Sequence, residues 1–349
     1  MEPKSQEEAQ QMDWRDRRVL VTGGASFIGS NLVDALVKRG AKVRVVDDLS
    51  SGKIENINGH IREGRIEFSE ADLRNTAVAE KAVEGMSVVF HLAAEHGGRG
   101  FVDLHQAACA RNLMLDGIIF RSCQLAGVEK VTFASSGCVY PNGLQTDPTQ
   151  IVYLKEEMVG PPYDADNTYG WAKLMGEMTL RAYYKDLSMK SACCRYFTAY
   201  GPRGVENHAV IAMIARAYTG QDPFDVWGNG EQIRNWTYID DIVEGTIRAC
   251  EKIDDGTAVN IGTMERTKVI DAAHEILRVL GRNPKIQLKP EMPTGPMNRV
   301  ADNALSKKLL GWEPKVKFVE GLHRTIDWYV SSHNKSQAVD GLERLLIER

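Results

Sequence analysis

The segment Arg18–Thr22 is a short run of β-branched and apolar residues that leads directly into Thr22-Gly23-Gly24-Ala25-Ser26-Phe27-Ile28-Gly29. A helical stripe follows, formed by Ile28, Leu32, Val33, Leu36 and Val37, with Gly40 as its stop. A strand that turns through glycines into an amphipathic helix predicts one βα unit of a parallel sheet. The same pattern recurs. Lys42–Val46, Ser87–Leu92, Lys130–Ala134 and Ser191–Phe197 read as further strands, apolar almost throughout, as expected for strands covered on both faces. Ile28–Arg39, Leu104–Ala126 and Asn167–Lys185 read as helices between them. This alternation predicts an α/β fold, a doubly wound parallel Rossmann sheet built with right-handed crossovers.

After residue 200 the rhythm breaks, and Gly and Pro punctuate shorter elements. The expected organisation is a tail over 1–16, a dinucleotide-binding domain over 17–200, and a smaller mixed α/β substrate domain over 201–335. A second tail covers 336–349, and a strand near 258–262 can rejoin the main sheet. The acidic, glutamine-rich start has no apolar core of the kind a signal peptide carries, which points to a cytoplasmic protein. A formal net charge of −4 on 349 residues gives no general attraction to nucleic acid or to an anionic membrane. None of the six cysteines has zinc-site spacing, so no metal is expected, and five read as small buried apolar residues.

The glycine loop places free N–H groups and the positive end of a helix dipole against a pyrophosphate. Gly23, Ser26, Phe27, Ile28 and Gly29 are the candidates, with Ser26 standing where such loops carry a middle glycine. Asp47 closes the second strand at about the 20-residue offset suited to adenosine ribose hydroxyls, and its charge repels a 2′-phosphate. The expected cofactor is therefore NAD. Asp72 and Leu73 can reach the adenine, and Ala93, in His91-Leu92-Ala93-Ala94, is small enough to let the cofactor lie close. Tyr169 and Lys173 are four apart, hence on one helix face. An ammonium beside a phenol lowers the phenol's pKa, so Tyr169 can take a hydroxyl proton while hydride leaves the same carbon.

Taken with Ser135–Tyr140, Arg195-Tyr196-Phe197 and Trp227–Gln232, these motifs resemble the extended short-chain dehydrogenase/reductases, the nucleotide-sugar epimerases and dehydratases, over roughly residues 17–330. The resemblance implies a nucleotide-diphosphate sugar as substrate and Ser136 bonded to the reacting sugar oxygen. It also implies Arg234 and Arg299 on the diphosphate. A homodimer is expected, paired through the helices near 104–126 and 167–185. Family 4,6-dehydratases carry Asp-Glu where this chain has Gly137-Cys138. Ser136–Pro141 is similar instead to a cysteine-bearing stretch of GDP-mannose 3,5-epimerases and GDP-fucose synthases, in which that cysteine is an acid/base. His208 resembles the histidine of the GDP-fucose synthases. Gly98 and Arg99 resemble a loop those enzymes hold near the sugar, and Asn207 lies beside His208. The implied reaction is epimerisation through a 4-keto sugar, with Cys138 and His208 exchanging protons at C5 and C3. Two alternatives stay open: a plain 4-epimerase, and an unusual dehydratase using Cys138 and Glu206.

Overall fold

The computed structural model describes residues 12–335; the segments 1–11 and 336–349, and the tail assignments that fall on them, lie outside the described residues. Seven parallel strands form the central sheet. In chain order they are β1 (Arg18–Thr22), β2 (Lys42–Asp47), β3 (Ile66–Glu70), β4 (Val88–His91), β5 (Lys130–Ser136), β6 (Lys190–Tyr196) and a returning strand, Asp255–Ile261. In space they run from the returning strand through β6, β5, β4, β1 and β2 to β3.

Alternation along each strand sends side chains to two separate cores. Val19, Val21, Val88 and Phe90 join the core that packs the helices Phe27–Lys38 and Ile239–Lys252. Leu20, Val89, Val131 and Phe133 face the opposite core, under Gln106–Leu125. Cys193 and Cys194 divide between the two in the same way. β3 was not among the strands foreseen. It is an edge strand paired only with β2, mostly solvent-facing, and its Glu and Ser residues hide the apolar signal. The foreseen helix Leu104–Ala126 is two helices, Arg99–Leu104 and Gln106–Leu125, separated at His105.

Trp14 corrects the expected tail at 1–16. It is 4 % exposed, and its indole N–H donates to Glu251 Oε1 at 2.7 Å. An apolar ring that can bury its body and satisfy its one donor does not stay in solvent.

Beyond β6 the chain builds small sheets and the helices Ala209–Thr219 and Val269–Val279 over the strand ends. It returns to the main sheet with Asp255–Ile261, paired to β6. The order reverses between β1 and β4, where crossovers leave in opposite directions and a crevice opens at the strand ends. No described helix is long and apolar enough to cross a membrane.

Candidate active site

One cavity of about 450 Å³ runs from that crevice to the overlying small sheets. Gly23, Ser26, Phe27, Ile28, Asp47, Asp72, Leu73 and Ala93 line one end. Ser136, Cys138, Tyr169, Lys173, Gly98, Arg99, Asn207, His208, Arg234 and Arg299 line the other. Two foreseen residues are absent from its wall. Gly29 is packed instead: a Cβ there would lie 2.8 Å from the Gly24 Cα, so its task is to let the helix sit on the loop. Glu206 turns away toward the helix Phe318–Ser332. It accepts from the Tyr329 hydroxyl at 3.2 Å and lies 3.6 Å from His333 Nε2. It is therefore not a base for a ligand in this cavity.

At the cofactor end, Gly23 has φ +69 and a Cβ on it would lie 2.9 Å from the Ala93 backbone, so only glycine lets β1 turn this close to β4. Ser26 caps the helix without bonding its amides; its hydroxyl donates back to the Gly23 carbonyl at 2.5 Å. Phe27 and Ile28, in the first turn of that helix, line the cavity. Asp47 is held rigid, Oδ2 accepting from Ala25 N and Oδ1 from Leu49 N, both at 2.9 Å. Asp72 is paired with Arg74, which also reaches Glu95 at 2.7 Å.

Tyr169 and Lys173 project from the helix Asn167–Leu187, and both are buried. Lys173 is 1 % exposed and its Nζ has no hydrogen-bond partner among the described residues, 4.5 Å over the Phe133 ring. An orphaned ammonium donor at the cavity wall fits ribose hydroxyls, and the residues present suit a nicotinamide dinucleotide. The electrostatics differ from the sequence expectation. Burial raises Tyr169 well above the usual phenol value, only partly opposed by the Ser136 hydroxyl within its reach, and burial lowers Lys173. Desolvation sets the direction of the phenol's shift.

At the sugar end, Arg299 does more than face the cavity. Its Nε donates to Gln145 Oε1 at 2.6 Å, its Nη2 to Asp166 Oδ2 at 2.8 Å and its Nη1 to Cys138 Sγ at 3.2 Å. Arg99 pairs with Asp166 as well, at 2.7 Å, and with Asp103. Burial alone would raise Asp166, but Arg299 and Arg99 outweigh it and hold the carboxyl below its usual range. Among the described residues no carboxylate pairs directly with Arg234; its guanidinium bonds the carbonyls of Ile233 and Thr294, at 2.9 and 2.7 Å. Burial, then the fields of Arg299 and Arg99, push it down to about 9. A guanidinium keeps its proton, so that shift marks an uncompensated cation facing the cavity, which an anion relieves.

His208 caps the helix Ala209–Thr219, and burial pushes it down to about 4, so its imidazole is neutral at pH 7. His96 is an addition. Its ring lies 4.8 Å from that of Tyr169 and 5.8 Å from that of His208, bridging the two across the cavity. Asp166 and Gln145 were not foreseen, and His96, which belongs to the loop that resembles a sugar-side loop, had no assigned role. The pairing of Asp166 with arginines 67 and 133 residues away leaves no local spacing signal.

Residues 19–262 match the family model described as the NAD dependent epimerase/dehydratase family. The chain is 34% identical over 334 residues to GDP-mannose 3,5-epimerase 1 of Oryza sativa subsp. japonica, covering 93% of this chain and 85% of that protein. It is 30% identical over 324 residues to UDP-glucose 4-epimerase of Mycolicibacterium smegmatis, covering 92% and 100%. Among solved structures, UDP-glucuronic acid 4-epimerase from Bacillus cereus, in complex with UDP-glucuronic acid and NAD, superimposes with a TM-score of 0.81. That match has 28% identity and covers 90% of this chain and 99% of that one.

Proposed function

The chain belongs to the NAD-dependent epimerase/dehydratase family, and from that premise we propose that it epimerises a nucleotide-diphosphate sugar through a transient 4-keto intermediate. The observation that carries this reading is one cavity whose wall joins Ser136, Tyr169 and Lys173 to Cys138 and His208. Gly23, Ser26, Phe27, Ile28, Asp47, Leu73, Ala93, Tyr169 and Lys173 would hold the cofactor. Bound NAD supplies the hydride acceptor, the later hydride donor, and a positive ring charge beside the phenol.

Tyr169 takes the C4 hydroxyl proton, with Ser136 bonding the same oxygen. The C4 ketone acidifies the hydrogens at C5 and C3. Neutral His208 is the proton-accepting form, and the Cys138 thiol can return a proton from the other side. Arg234 is the first candidate for the diphosphate, because its charge is uncompensated. Arg99 and Arg299 add to that field while staying tied to Asp166.

Incubating nucleotide sugars with the protein in D₂O tests the reading. Deuterium at C5 or C3 of a stereoisomeric product is the expected result. Inversion at C4 without incorporation would make the protein a plain 4-epimerase, and an alkene or keto product a dehydratase acting through Cys138.

The reading includes a homodimer. Leu113 and Met114 on Gln106–Leu125, with Trp171 and Met175 on Asn167–Leu187, are each more than 40 % exposed, a contiguous demand for cover that a twofold helix pairing meets. A cytoplasmic location suits the chemistry, since Cys138 works only as a free thiol.

A further inference from the structure

Behind the cavity wall, Asp116 and His91 form a buried pair with no part in the chemistry so far. Asp116 lies midway along Gln106–Leu125 and His91 ends β4; their side chains are 4 % and 0 % exposed. The protonation of the pair follows from its partners. Thr22 Oγ1 accepts the backbone N–H groups of Leu92 and Ala93, each at 3.1 Å, and lies 2.8 Å from His91 Nδ1. A hydroxyl has one hydrogen to give and two acceptor sites. With both sites taken, that hydrogen goes to Nδ1. A neutral imidazole then carries its own proton on Nε2, which donates to Asp116 Oδ1 at 3.0 Å. Burial, opposed by Asp116, keeps the imidazole neutral. His91 is thus a neutral donor to Asp116, and no cation in this chain of bonds offsets a charge on that carboxyl.

The other oxygen of Asp116, Oδ2, is buried with no hydrogen-bond partner among the described residues, and so is Lys173 Nζ. Both lie on the side of the Phe133 ring that the helix Asn167–Leu187 covers at Gly176. Nζ lies 4.5 Å from the ring centre. Gly176, one turn beyond Lys173, keeps the space open, since a Cβ there would lie 2.6 Å from the ring and 3.5 Å from Asp116 Oδ2. A lysine buried without a counter-charge gives up its proton, whereas a nearby carboxylate holds it on.

We propose that Asp116 is the counter-ion that keeps Lys173 an ammonium, with His91 and Thr22 fixing the carboxylate's orientation. It is a positioning residue, acting through Lys173 and lining no part of the cavity. The inference deepens the reading above and rests on its assignment of Lys173 to the cofactor. The ionisable groups coupled to the carboxylate are His91 from β4, and Lys173 and Tyr169 from the helix packed across it. Asp116 also opposes ionisation of Tyr169. One fixed charge therefore favours a charged lysine and opposes the tyrosinate, so the positive nicotinamide ring must supply the opposite field before Tyr169 can accept a proton.

NAD affinity, measured calorimetrically as a function of pH on the full-length protein, tests this. The ammonium is the form that binds ribose, so affinity must fall as pH rises through the Lys173 pKa. In the unaltered protein the fall is expected only in the alkaline range. In Asp116→Asn it is expected at least about one unit lower, making NAD roughly tenfold weaker above both midpoints but little changed well below them. Adding Asp116→Asn to Lys173→Met should change nothing further. Uniform weakening at every pH, or equal weakening in the Lys173→Met background, would show that Asp116 only supports the fold and overturn the proposal. If Asp116→Asn fails to fold by circular dichroism, Asp116→Ser serves in its place. The unaltered protein is itself decisive, because a fall below about pH 7 would mean a neutral lysine. Intact protein that binds NAD with the expected pH profile yet incorporates no deuterium would sink the epimerase reading and leave this one standing.

Discussion

Replacing Gly98 with alanine tests whether the sugar end of the cavity depends on one close backbone contact. Gly98 caps the helix Arg99–Leu104 with φ −65, a conformation alanine adopts freely, so the substitution carries no backbone strain. The obstacle is steric alone. A Cβ at 98 would lie 2.9 Å from the Asn207 carbonyl carbon and nearer still to its oxygen. A carbon and a carbonyl oxygen in ordinary contact need over 3 Å, so the segment carrying Arg99 and the segment carrying Asn207 and His208 must part by about an ångström. Overpacking of this kind costs about 1–3 kcal/mol of stability, and a displacement of about 1 Å in a catalytic group costs roughly 100-fold in rate. Gly98→Ala is therefore expected to remain folded, bind NAD as before, and lose about two orders of magnitude in the deuterium-exchange assay. Gly59→Ala is the control, since a Cβ there meets nothing within 4 Å. Turnover within about twofold of the unaltered protein for Gly98→Ala would refute the claim that His208 and Arg99 are held in register by this contact.

Four further outcomes follow from the geometry. Tyr169→Phe should lower turnover by at least about 100-fold, the usual worth of a positioned acid/base, while NAD titration gives an affinity close to the original; undiminished turnover would end the proposed chemistry. Cys138→Ala should abolish inversion at C5 and C3, as read by NMR, while hydride chemistry at C4 persists, and inversion at the full rate would remove the thiol from the reaction. His208, pushed down to about 4 by burial, loses its proton-accepting form only as pH falls through that value. Hence kcat/KM should show no His208 limb near the free value of about 6.5, and a limb there that vanishes in His208→Asn would contradict the assignment. Trp171→Glu should put a charge on each side of the proposed twofold face and give single chains in sedimentation, whereas unchanged assembly would place the interface elsewhere.

The Rossmann half was legible because its signals are local. β1, the glycine loop and the stripe of Leu32 and Leu36 are continuous in sequence, and buried parallel strands announce themselves as apolar runs. Lys173 and Tyr169 were legible for the same reason, since four residues on a helix fix which side chains share a face. β3 was missed because an edge strand facing solvent carries little apolar signal.

Where the reading reached across the chain, geometry decided. Sequence determined the residue types: a phenol and an amine one turn apart, a thiol after a strand, three arginines and an acid closing β2. Tertiary structure decided their company. It turned Glu206 toward Tyr329, gave Arg299 to Asp166 and Cys138, left Arg234 without a directly paired carboxylate among the described residues, and set His96 against Tyr169. It also reversed the electrostatic argument for Tyr169, where burial raises the phenol. Charge–charge energies depend on distance and on how much water is excluded, and neither is set until residues far apart in the chain are folded against one another.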